Sequence, residues 1–165
     1  MTDRRILVAG VGNVLLGDDG FGVEVARRLA GRDLPRGVCV RDFGIRGFDL
    51  ALALLEGYDQ VVLIDAVRRG ERPGTLYLME AADDPNAPGE FQVHGMVPSQ
   101  VFRAVRSMGG VVRNVFVVAC EPEDLGDPDG GRIGLSASVE ASVGGALGMV
   151  EDLIRRSPEG REAHA

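Results

Sequence analysis

Asp18 and Asp19 follow a short glycine-bearing loop, Asp65 closes an apolar run, and His94 stands in Gln92-Val-His-Gly-Met-Val-Pro98. The chain holds two histidines, and the other, His164, falls in a polar tail, so His94 is the one imidazole set among structured elements. Two carboxylates and an imidazole suit a borderline divalent ion such as zinc or nickel, with coordination positions left for water or substrate. Without a cation the set is awkward, because two carboxylates ~4 Å apart repel by about 4 kcal/mol at an effective dielectric of 20. Each residue also has a plainer reading. Asp18 and Asp19 have the chemistry of a helix cap and first-turn acids, Asp65 that of an Asx-turn, and His94 that of a loop histidine. A cap needs only one acid, however, and all of these residues belong to segments that would leave one edge of one sheet.

That sheet is legible in the hydrophobic pattern. Ile6-Leu-Val-Ala-Gly-Val11 and Gln60-Val-Val-Leu-Ile-Asp65 are apolar runs of the kind that form strands buried on both faces. Val38 to Asp42, Thr75 to Met79 and Asn114 to Ala119 supply three further strands. Between them the period changes. Phe21, Val25 and Leu29 mark a helix over 20–30, a second helix is expected over 47–55 and a third over 98–108. Val139, Val143, Leu147, Val150 and Ile154 mark one long helix over 136–156. Two polar loops, 81–93 and 121–134, interrupt the pattern, and 157–165 reads as a disordered tail. Alternating strands and helices predict a single α/β domain over 1–165, a three-layer α/β/α sandwich around a mostly parallel twisted sheet of about five strands. In such sheets ligands bind beyond the carboxyl ends of the strands. The loops carrying Asp18-Asp19, Asp65 and His94 are expected to leave from there.

Composition removes whole classes of function. All 18 basic residues are arginine, which excludes Schiff-base chemistry, a lysine base and a P-loop lysine. The net charge of −7 argues against an electrostatic grip on nucleic acid. No apolar run reaches the ~18–20 residues that span a bilayer, and the N-terminus reads as a first strand and not a signal peptide. A cytoplasmic protein with no membrane partner is expected. Cys39 and Cys120 both lie in apolar runs and read as buried thiols. Gly10-Val-Gly12 begins like a dinucleotide fingerprint, but Leu15 stands where a third glycine belongs. Gly12 to Gly17 has P-loop spacing, but Asp18 follows where lysine is needed. An acid pair there would repel phosphate, so no nucleotide is expected. Val14, Leu15 and Leu16 leave two readings open, core packing or part of a surface that receives a partner.

Gly10-Val-Gly-Asn-Val-Leu-Leu-Gly-Asp-Asp-Gly-Phe-Gly-Val23 resembles the opening signature of the nickel–iron hydrogenase maturation endopeptidases. The likeness continues through Asp42-Phe-Gly, Leu63-Ile-Asp-Ala66, Pro73-Gly-Thr75, His94 and Gly134-Leu-Ser136. It implies a metal-dependent endopeptidase that removes a C-terminal extension from a hydrogenase large-subunit precursor, acting on precursor already loaded with nickel. Under that resemblance the metal-contacting and catalytic positions fall on Asp19, Asp65 and His94, and the nickel comes from the partner protein. Whether His94 is a ligand or a general base oriented by Asp65 stays open. So does a rival of a different class, a non-catalytic assembly factor that recognises the loaded precursor. The chain departs from the family pattern at Arg46, where many members carry a small residue.

Overall fold

The structure, a computed structural model, describes residues 4–81 and 98–156. His94 and the tail expected over 157–165 lie outside the described residues. Five strands form one sheet in the order β2-β1-β3-β5-β4. They are β1 (Ile6–Val11), β2 (Val38–Gly44), β3 (Gln60–Ala66), β4 (Leu76–Ala81) and β5 (Val115–Cys120). The first four neighbours in that order are parallel, and β4 closes the far edge antiparallel to β5.

Strand alternation divides the core in two, as the pleat requires. Leu7, Ala9 and Val11 of β1 join Val61 and Leu63 of β3 and Val115, Val117 and Ala119 of β5 on one face. There they pack on Leu50, Ala51 and Leu54 of α2 (Gly47–Leu54) and on Val101, Phe102 and Val105 of α3 (Pro98–Ser107). Ile6, Val8, Val62, Ile64 and Val118 point the other way, onto α1 (Phe21–Ala30) and α5 (Val143–Arg155). Each fully buried Val, Leu or Phe contributes roughly 1.5–3 kcal/mol, so the two apolar layers hold the helices to the sheet. The three-layer expectation is met.

Two expectations on the elements need correction. The helix foreseen over 136–156 is broken: α4 (Ala137–Glu140) ends in a turn at Ala141–Ser142 before α5 begins. The turn before β4 presses on that break. Ser142 Oγ donates to the Gly74 carbonyl at 2.5 Å, and a Cβ at Gly74 (φ +88°) would lie 2.6 Å from the Ser138 carbonyl oxygen. The apolar stripe runs on through the break, which is why periodicity missed it. The second correction is direction. Ala81, at the end of β4, pairs with Val115, the first residue of β5, so the chain leaves β4 at the amino edge of the parallel strands. The segment carrying His94 therefore does not depart from the carboxyl edge. It rejoins the described structure at Pro98, the start of α3. The far end of α3 lies beside the end of α2, where a Cβ at Gly110 would meet Leu55 Cδ2 at 2.4 Å. Since α3 also leads into β5, it runs antiparallel to the strands, and Pro98 lies toward their carboxyl edge.

The thiol expectation holds in half. Both cysteines are free; Cys120 is buried, whereas Cys39 is half-buried beneath the α2–α3 layer.

Candidate active site

From β1 the chain passes through α1 to β2 on one side, and from β3 it continues toward β4 and β5 on the other. The sheet thus reverses its winding between β1 and β3, the place beyond the strands' carboxyl ends where such sheets bind ligands. Asp65 is the penultimate residue of β3, and Asp19 lies in a 3₁₀ turn (Gly17–Gly20) after β1. Both stand at that reversal.

Glycines let the segments close in. A Cβ on Gly22 would sit 2.0 Å from the Ile64 carbonyl oxygen and 2.5 Å from that of Val11, so α1 starts directly against the ends of β3 and β1. Gly12 has φ +131°, and a Cβ there would lie 1.9 Å from the Asp19 carbonyl oxygen and 3.7 Å from Asp65 Oδ1. The glycine spacing that mimics a nucleotide fingerprint therefore serves close helix–strand approach, with acids where phosphate would need donors.

Asp65 is 5% exposed. Burial first, and then the charge of Asp19, raise its pKa well above the usual carboxylate value, while the N–H of Ala66, donating to Oδ1 at 2.8 Å, pulls the other way. Asp19 is half-buried and its pKa is also raised, mainly by desolvation, against the lowering effect of the Asn13 N–H donated to Oδ2 at 2.8 Å. Each carboxylate thus commits one oxygen to a backbone donor. Among the described residues nothing donates to the other oxygen of either. The pair is oriented, electrostatically frustrated and still able to accept a proton or a cation.

Asp18 has a different role, which its sequence position did not reveal. It is fully buried and caps no helix. Its Oδ2 accepts the backbone N–H groups of Glu123 and Asp124, both at 2.9 Å, and the Ser136 hydroxyl at 2.8 Å. Its Oδ1 accepts the Ser136 N–H at 2.7 Å. One carboxylate thereby ties the 3₁₀ turn to both ends of the loop after β5. Glu121, 5% exposed, does similar work next door, accepting the N–H groups of Arg69 and Gly70 and the hydroxyl of Tyr77. The Gly134-Leu-Ser136 motif, visible in sequence without a role, gains one here as the donor pair for Asp18.

Of the predicted site residues the structure brings Asp19 and Asp65 together, and His94 falls outside the described residues. Among the described residues no three His, Cys, Asp or Glu side chains form a group that could hold a metal. Val14 and Leu15 are 40% and 56% exposed, so the core reading fails for them.

The chain matches the hydrogenase maturation protease family over residues 23–153. It belongs to that family. The hydrogenase 2 maturation protease of Escherichia coli is 33% identical over 156 residues, covering 93% of this chain and 92% of that protein. Among solved structures, the hydrogenase maturating endopeptidase HybD from E. coli superposes with a TM-score of 0.76 at 32% identity, with 92% of each chain covered. A hydrogenase 2 maturation peptidase from a Thaumarchaeota archaeon gives 0.68 at 29% identity, covering 90% of this chain and 97% of that one. As a maturation protease the chain is a hydrolase acting on peptide bonds, and the paired carboxylates at the switch point are its candidate machinery. No helix among the described residues is long and apolar enough to cross a membrane.

Proposed function

We propose that this maturation protease removes the C-terminal extension of a nickel-loaded hydrogenase large-subunit precursor, and that Asp19, Asp65 and His94 contact the nickel the precursor carries. The observation that carries this reading is the acid pair. Two electrostatically coupled carboxylates stand where the sheet reverses, one nearly sealed from solvent, each with its protonated form favoured by burial. A divalent cation offered by the substrate would relieve both the repulsion and the desolvation, so the donor set fits such an ion. Hard oxygen donors with an imidazole also match a nickel or zinc centre better than a soft one.

In this reading His94, four residues before Pro98 at the start of α3, joins the acid pair. In this reading the substrate's nickel polarises the scissile carbonyl or activates water. Asp19 and Asp65 fix the position of that centre through the oxygens to which no described residue donates, with the Asn13 and Ala66 N–H groups holding the carboxylate planes. We place the reaction in the cytoplasm, where the free thiols of Cys39 and Cys120 would persist.

The test is to mix the purified protein with nickel-loaded precursor and weigh the product by mass spectrometry. Loss of a C-terminal peptide is expected. An intact precursor bound tightly to the protein would instead reveal a non-catalytic assembly factor.

A further inference from the structure

Helix α2 is apolar on both sides. Its inner face, with Leu50, Ala51 and Leu54, packs on the sheet. Its outer face presents Phe48, 67% exposed, Leu52, 44%, and just past its end Leu55, 36%. These residues are four and three apart and so lie on one stripe. Ile45, 68% exposed, extends the stripe at its head. Of the eight residues of α2 only Asp49 is charged. The neighbouring Arg46 is turned onto its own loop, donating to the Asp42 and Phe43 carbonyls and pairing with Asp49 at 3.5 Å. A surface helix ordinarily turns polar residues outward, and one that is apolar all round is covered on both faces. A contiguous exposed apolar patch of this kind marks an interaction surface.

The stripe starts at the active-site rim. Ile45 follows Gly44, whose carbonyl accepts the N–H of Gly12 at 2.9 Å, and Gly12 lies against Asp19 and Asp65. A protein whose peptide bond reaches the acid pair comes within reach of this rim. The outer face of a helix is convex. It suits the apolar patch of a folded partner and not a single extended chain, which needs a groove. We infer that Ile45, Phe48, Leu52 and Leu55 form the docking face for the folded body of the large-subunit precursor, held there while its extension is cut. This rests on the precursor-processing reading and adds where the precursor is gripped.

The experiment measures initial cleavage rates across a range of nickel-loaded precursor for the wild type and for the Phe48→Ser, Leu52→Ser double variant. Unfolding midpoints and solution masses of both proteins are recorded alongside. Loss of two interface anchors should raise KM about tenfold or more, with kcat within about twofold and the midpoint unchanged because both side chains are exposed. Mature large subunit lacking the extension should inhibit the wild type competitively and the variant far less. An unaltered KM overturns the inference. Inhibition by a synthetic extension peptide but not by mature subunit also overturns it, as does a wild-type dimer that becomes monomeric in the variant with KM unchanged. If the wild type binds precursor without cutting it, the protease reading falls. Weaker precursor binding by the variant in that same titration would still uphold the docking face.

Discussion

Replacing Asp18 and Asp19 by alanine, one at a time, should give opposite results although the residues are neighbours. Asp18→Ala removes the acceptor of four donors, the N–H groups of Glu123, Asp124 and Ser136 and the Ser136 hydroxyl, of which the hydroxyl can turn to Ser138 Oγ at 3.4 Å. The Glu123 and Asp124 amides lie in a partly buried setting that water can reach, while the two Ser136 donors are buried. A buried donor left unsatisfied costs about 1–3 kcal/mol, so the Ser136 N–H alone implies a loss of roughly 1–3 kcal/mol. For a chain of this size each kcal/mol moves the melting point by about 2–4 °C. A drop of about 4–8 °C is therefore expected near the middle of that range. Asp19→Ala gives up one hydrogen bond, from Asn13, and removes a partly desolvated charge that repels Asp65. Its melting point should match or exceed the wild type while precursor cleavage is lost. Differential scanning calorimetry at neutral pH reads both. If Asp18→Ala melts within about 2 °C of the wild type, the buried carboxylate does not carry the loop and the division of labour drawn between the two acids is wrong.

Asp65→Asn should raise stability at neutral pH while abolishing cleavage, because the amide keeps an acceptor for the Ala66 N–H and removes a buried charge facing Asp19. Folded Asp65 binds its proton more tightly than the unfolded chain does, so its contribution to stability is greatest in acid and is lost as pH rises through the folded pKa. The advantage of the Asn variant should accordingly grow from acid toward neutral pH, and a constant gap in melting point across that range would contradict the burial argument. Gly22→Ala would force a methyl to within 2.0 Å of the Ile64 carbonyl oxygen and 2.5 Å of that of Val11. A loss of at least about 3 kcal/mol is expected from such overpacking, and a normal urea midpoint would show that α1 has room to spare.

What the sequence reveals about the site follows from locality. Asp65 ends an apolar strand and Asp19 opens a helix, so both could be placed at the carboxyl edge from neighbouring residues alone. Asp18 could not be understood that way, since its partners lie 105 to 118 residues further along the chain. Nor does a hydrophobic run state its direction. Leu76 to Ala81 reads as a strand in either sense, and only the pairing of Ala81 with Val115 shows that β4 runs against its neighbour. The break at Ala141–Ser142 was hidden because Val139 and Val143 keep the helical stripe intact across it. The outer face of α2 was equally hidden. Apolar residues in a helix are expected to be inside, and it takes the fold to show that Phe48 is not.

The central claim is that Asp19 and Asp65 act together on a metal-bearing substrate. Single-turnover cleavage of nickel-loaded and nickel-free precursor by the wild type, Asp19→Asn and Asp65→Asn, followed by product mass, addresses it most directly. The account predicts a clipped product only from wild-type protein with nickel-loaded precursor. Full cleavage of that precursor by either carboxamide variant, or cleavage of nickel-free precursor by the wild type, would contradict it.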